Sequence, residues 1–114
     1  MEKFEPPTHY FAEEPIPGTE DWKHIAYATS GGGFDWEEFH CWYSPSERQY
    51  FWVYGSGCSC HDLSDLIPNK DSFENGSKQD AIRALKRETG EYTTLSPGAI
   101  RACTTVIRQH KETT

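Results

Sequence analysis

The chain has 114 residues, 35% hydrophobic, 14% aromatic and 25% charged, so a single core is expected and large rings must fill much of it. Eleven basic side chains against 18 acidic ones give a net charge of −7, which opposes binding to nucleic-acid phosphates and to anionic membranes. No run approaches the ~20 apolar residues of a membrane span, and Met1-Glu2-Lys3-Phe4-Glu5-Pro6-Pro7 lacks the order of a signal peptide; a soluble, cytoplasmic protein is the expectation.

Residues 1–21 mix Pro6, Pro7, Pro15, Pro17 and Gly18 with six carboxylates, a composition that supports neither helix nor sheet and predicts an extended arm. Its apolar residues Phe4, Tyr10, Phe11 and Ile16 are expected to pin it onto the domain formed by residues 22–114. From Trp22 to Thr29 large and small residues alternate with period two, which predicts a first strand. Ser30-Gly31-Gly32-Gly33 breaks the chain, with no Gly-Lys-Ser/Thr after it to make a phosphate loop. A second strand is expected over Phe34–Tyr43, with a bulge at Glu37 and Glu38. Turn residues at Ser44–Arg48 and the ring-rich Gln49–Tyr54 predict a hairpin.

A turn about Ser46 and Glu47 puts Phe39, Cys41 and Tyr43 on one face with Tyr50, Trp52 and Tyr54, and His40 and Trp42 on the other with Phe51 and Val53. Both faces are hydrophobic, so the pair needs cover on two sides. Further on, Ser77-Lys78-Gln79-Asp80 resembles a helix start and Gly90 a stop, predicting a helix over about 77–89. Ser96-Pro97 starts a second, with Ile100, Cys103, Val106, Ile107 and His110 at helical spacing to about Lys111. The fold expected is α+β, a three-stranded antiparallel meander packed against two C-terminal helices.

Four cysteines raise the question of chemistry. Gly55 and Gly57 predict a tight turn that points Cys58 and Cys60 from one side of a loop. A zinc site could draw on Cys41, Cys58, Cys60 and His61. The spacing argues against it, because one Cys-x-Cys has no second knuckle to complete four ligands. Small half-buried thiols filling the turn are the simpler reading, and a Cys58–Cys60 bridge would be strained. A catalytic thiol needs a positioned base and an orienting group, which adjacency to His61 does not supply. No catalytic or cofactor-binding residues are therefore assigned, and the chain is not expected to be an enzyme.

The run Tyr50–Cys60, a polar gap, and Gln79–Leu85 resemble small proteins of unknown function from actinobacteriophages, in which a strand ends in a Ser-Gly-Cys-Ser-Cys turn before a loop and a short helix. The resemblance spans about residues 34–89, and Ser56–Cys60 is its specific part. Those proteins often have proline after the second cysteine, where this chain has His61. The resemblance implies a phage origin and an α+β architecture, and it carries no mechanism.

The reading that follows is a non-catalytic phage accessory protein that binds a host protein. Its surface would combine Glu37, Glu38 and Asp62 with the rings of Trp36 and Trp42. Three alternatives are a DNA mimic, a small zinc-stabilised module, and a virion or self-assembling component that forms homo-oligomers through the hairpin.

Overall fold

Alternating side chains form strands where the pattern predicts them. The computed structural model describes residues 7, 15–31, 35–58, 63 and 69–112. Strand β1 is Lys23–Gly31, β2 Asp35–Ser44, β3 Gln49–Cys58 and β4 Glu74–Gly76, and the helices α1 and α2 are Lys78–Glu88 and Pro97–Gln109. The strands pair antiparallel in the order β1-β2-β3-β4. The fold is thus α+β with two C-terminal helices, and the sheet has four strands where three were expected. The extra strand lies in a turn-prone stretch with Asn75 and Gly76, and only its pairing with Tyr50–Trp52 makes it one.

The hairpin has the predicted faces. Its register pairs Tyr43 with Tyr50, Cys41 with Trp52 and Phe39 with Tyr54. The turn is Pro45–Arg48, where Arg48 takes a left-handed φ of 55°. The Asp21 carboxylate accepts from the Ser46 N–H at 3.0 Å and ties the turn to the segment before β1.

Two core clusters result where a single core was expected, one on each face of the sheet, because both faces of the hairpin are apolar. On the first, Ala26, Ala28, Phe39, Cys41, Tyr43, Tyr50 and Trp52 pack against Ala81, Leu85, Cys103 and Ile107 of the helices. On the second, Trp42, Phe51 and Val53 are covered by Ile16, Trp22, Leu63 and Phe73. Trp22 stacks on Phe51 with ring centroids 4.0 Å apart and meets Phe73 edge-on at 5.0 Å. The cover required by a two-faced hairpin therefore comes from helices on one side and, on the other, from Ile16 and Trp22 before β1 together with Leu63 and Phe73 between β3 and β4. Within the expected arm, Ile16 and Thr19 are fully buried, so this part of it belongs to the core; residues 1–6 and 8–14 lie outside the described residues.

Two local expectations are corrected. The bulge lies in β1 between His24 and Ala26, whereas β2 pairs with β3 without interruption through Glu37 and Glu38. Gly55 and Gly57 do not form a turn, because β2 extends to Asp35 and keeps β3 paired as far as Cys58. The helix caps are as the sequence implies. The Ser77 hydroxyl accepts from the Asp80 N–H at 3.1 Å while the Asp80 carboxylate accepts from the Ser77 N–H at 3.0 Å, a reciprocal capping box. Ser96 caps α2 through the Ala99 N–H at 3.0 Å, with Pro97 opening the first turn. No helix among the described residues is long and apolar enough to cross a membrane.

Candidate functional site

Where β2 begins and β3 ends, the sheet meets the loop between α1 and α2. An open cleft of about 630 Å³ lies there, lined by residues of β2, β3, the end of α1 and the loop. At its floor, Glu37 is only 5% exposed. One carboxylate oxygen accepts the Tyr54 and Thr93 hydroxyls, each at 2.7 Å. The other accepts the Thr94 N–H at 2.6 Å and the Thr94 hydroxyl at 2.7 Å.

The chemistry of that floor is set by these bonds. Burial opposes ionisation of Glu37, but the donors from Tyr54, Thr93 and Thr94 together outweigh it and hold the carboxyl down to about 2. Burial, reinforced by the Glu37 carboxylate, pushes the Tyr54 phenol up to about 12. Neither group exchanges a proton near neutrality, so the pair is poorly matched to general acid–base work. What remains is a fixed negative charge inside a wall of hydroxyls.

The rim adds to that charge. Asp35, Glu88 and Glu91 line the cleft with Arg87 as the one basic residue, and Arg87 is itself engaged by Glu88 at 3.3 Å and Glu74 at 3.4 Å. Tyr92, also on the lining, is 92% exposed. Sequence reasoning missed Tyr54, Thr93, Thr94, Glu91 and Tyr92 as site residues. Tyr54 is legible only as a hairpin residue, and the other four have as their signal the stretch Glu91-Tyr92-Thr93-Thr94 between a helix stop and a helix start.

The expected partner surface is not assembled as anticipated. Trp42 is fully buried in the second core, against Trp22 and Phe73. Glu37 is consumed by its four donors. Trp36 is half-buried and its indole N–H donates to the Cys58 carbonyl at 3.0 Å. Glu38 is half-buried and bonded to His40 at 2.7 Å; Asp62 lies outside the described residues.

The expected zinc ligands are likewise not brought together. Cys41 pairs with Trp52 in the middle of the sheet and Cys58 with Asp35 at its end, six residues apart along the strand, or about 20 Å at the usual strand rise. Cys41 is fully buried with its thiol pushed up by that burial, and Cys58 is disulfide-bonded, which corrects the expectation of a half-buried free thiol at that position. Cys60 and His61 lie outside the described residues. Cys103 is buried in the helix-side core, as expected. Among the described residues no group of three or more His, Cys, Asp and Glu side chains could hold a metal ion.

A second polar cluster occupies the opposite face of the sheet. The His40 ring, fully buried, has Nε2 2.7 Å from the Glu38 carboxylate and Nδ1 2.9 Å from His24 Nε2. A carboxylate only accepts, so His40 donates from Nε2 to Glu38, and the tautomers of the two rings set which of them donates between His40 Nδ1 and His24 Nε2. Tyr27 stacks over both rings, at 5.5 Å from His24 and 6.0 Å from His40. In comparisons with protein-family models, curated proteins and solved structures, nothing matches this chain.

Proposed function

We propose that the protein is a non-catalytic binding module that holds a basic segment of another protein in the cleft between the sheet end and the α1–α2 loop. The carrying observation is the cleft itself, with Asp35, Glu88 and Glu91 on its lining, the fixed Glu37 carboxylate in its floor and the almost fully exposed Tyr92 beside them. An exposed ring within a charged rim supplies both a contact surface and orientation. The same charge disfavours phosphate-bearing ligands, which supports a protein partner over nucleic acid. The resemblance of the Ser56–Cys60 segment to phage proteins suggests that the partner belongs to a host cell. In this reading the acidic and aromatic surface shifts from Glu37, Glu38 and Trp42 to residues that reach solvent.

The test uses the full chain immobilised in nuclease-treated host lysate, with Glu88→Lys/Glu91→Lys and Tyr92→Ala variants in parallel. A protein retained by the wild type and lost by both variants is expected. With that partner purified, charge reversal should slow association and ring truncation should speed dissociation. Equal retention of every captured protein by all three forms overturns the reading.

A further inference from the structure

Cys58 closes β3, and alternation along the strand puts its side chain on the face of Tyr54 and Ser56 and, across the pairing with β2, of Asp35 and Glu37. All of these residues line the acidic cleft, and Cys58 is half-buried there. From the other face, the Trp36 indole N–H donates to the Cys58 carbonyl at 3.0 Å and helps to hold the strand end. The Cys58 sulfur is disulfide-bonded. Of the four cysteines, Cys41 and Cys103 are free and buried, so elimination assigns the other half of the bond to Cys60, which lies outside the described residues.

Such a bond does little for the fold. In the chain-entropy account a disulfide stabilises by closing a loop of the unfolded chain, and more so the longer the loop; this one encloses a single residue. The strand end is held in any case, because the ladder between β2 and β3 runs as far as Asp35 and Cys58. A half-buried disulfide on the lining of a cleft is instead open to attack by a thiolate. Charge decides which thiolate. An incoming thiolate is an anion, and Asp35, Glu88 and Glu91 oppose it, while Arg87 is already engaged by Glu74 and Glu88. Lys or Arg beside the attacking cysteine reverses this twice, by raising its thiolate fraction at neutral pH and by bringing positive charge to the acidic lining.

We propose that the cleft is a thiol–disulfide exchange site for a cysteine within a basic protein segment. The proposal rests on the function proposed above for the charge of the ligand, and it adds a covalent step at Cys58. The ligand thiolate attacks the Cys58 sulfur. A bond forms between those two sulfurs as the bond to Cys60 breaks, and Cys60 leaves as a thiolate that takes a proton from water. The ligand sulfur is oxidised and the Cys60 sulfur reduced, so the step needs no other oxidant. Return of the Cys60 thiolate to the Cys58 sulfur reverses it and frees the ligand. The remaining thiols do not compete, because burial pushes Cys41 well up and Cys103 up to about 12.

Two measurements on the full chain, purified without reductant, test the proposal. In denaturant, a maleimide should label Cys41 and Cys103 alone before reduction and all four cysteines after it; four labels before reduction overturn the proposal. The oxidised chain is then mixed at low ionic strength with a short cysteine peptide flanked by Lys and Arg, with its counterpart flanked by Asp and Glu, and with the basic peptide carrying serine for cysteine. Samples are quenched with maleimide and mapped by mass spectrometry. The expected product carries the basic peptide on Cys58 and maleimide on Cys60, and it forms at least about tenfold faster than the product of the acidic peptide. High salt and Glu88→Lys/Glu91→Lys should each shrink that ratio. Binding of the serine peptide with no adduct from the cysteine peptide overturns the exchange and leaves the basic-ligand reading standing. Equal rates for the two charged peptides, or a ratio indifferent to both salt and charge reversal, overturn both.

Discussion

The Glu37 carboxylate on β2 accepts the Thr93 hydroxyl at 2.7 Å across 56 residues of sequence. Together with Thr94 and Tyr54 it makes one buried acid the fastening point between the sheet end and the helix connection. Replacing it with alanine leaves several partly buried donors without an acceptor, a change worth about 2–4 kcal/mol. Glu37→Gln keeps the shape but loses the charge and should cost less. The carboxyl lies at about 2 in the folded chain against 4.5 ordinarily, so its contribution is fully present above pH 4.5 and is lost as pH falls from there toward 2. Urea melts of wild type and Glu37→Ala should therefore converge over that interval. Parallel curves would show that the hydrogen bonds to Glu37 do not carry the effect.

Gly76 stands one residue before the cap of α1, and a Cβ built there would sit 2.6 Å from Asp80 Oδ2. That oxygen is held by the Ser77 N–H, so it can move away only by opening the capping box. Gly76→Ala should cost about 1 kcal/mol, the usual value of an N-cap. Ser77→Ala should cost a similar amount, and the double variant should cost less than the sum because both act on one box. Additive losses in thermal melts would contradict a shared cause.

How far the sequence could be read follows from the range of each interaction. The Ser77 to Asp80 box and the Ser96-Pro97 start are complete within four residues, and both helices begin where those residues imply. The hairpin register follows from a short turn and a repeat of two, so its pairing of Phe39, Cys41 and Tyr43 with Tyr54, Trp52 and Tyr50 was legible as well. Glu37 was not, because the groups that bury it are Thr93 and Thr94, far along the chain and unremarkable in composition. Trp42 reads as a contact ring in the sequence for a related reason. Its face of the hairpin is closed by Trp22 before it and Phe73 after it, and no local pattern says which apolar face such flanking segments will cover. The three-residue β4 and the β1 bulge also depend on a neighbouring strand.

Trp22 holds that cover in place. It stacks on Phe51 and meets Phe73 and Trp42, and it is 1% exposed. Truncation to alanine should cost about 3–5 kcal/mol, the range for a buried ring. Among the described residues its indole N–H has no hydrogen-bond partner, so Trp22→Phe loses ring area without breaking a hydrogen bond there and should cost clearly less. Denaturant midpoints of the two variants check this, and equal losses would mean that the six-membered ring contributes little of the packing.

The His24–His40 pair makes stability depend on pH in a separate window. Burial first, and then His40 beside it, holds His24 down to about 3 against an ordinary 6.5. Between those values the unfolded chain binds a proton that the folded chain refuses, so stability falls as pH is lowered through the interval. His110, lowered by burial and by Lys78, acts in the same direction. Measurements between pH 7 and 5 stay above the interval in which Glu37 titrates and isolate the histidines. Wild type should lose denaturant resistance over that range, His24→Gln should lose less, and His24→Gln/His110→Gln should lose least. A His24→Gln slope equal to that of wild type would mean that the ring takes up its proton in the folded protein at an ordinary pH, with the His40 contact opening to admit it.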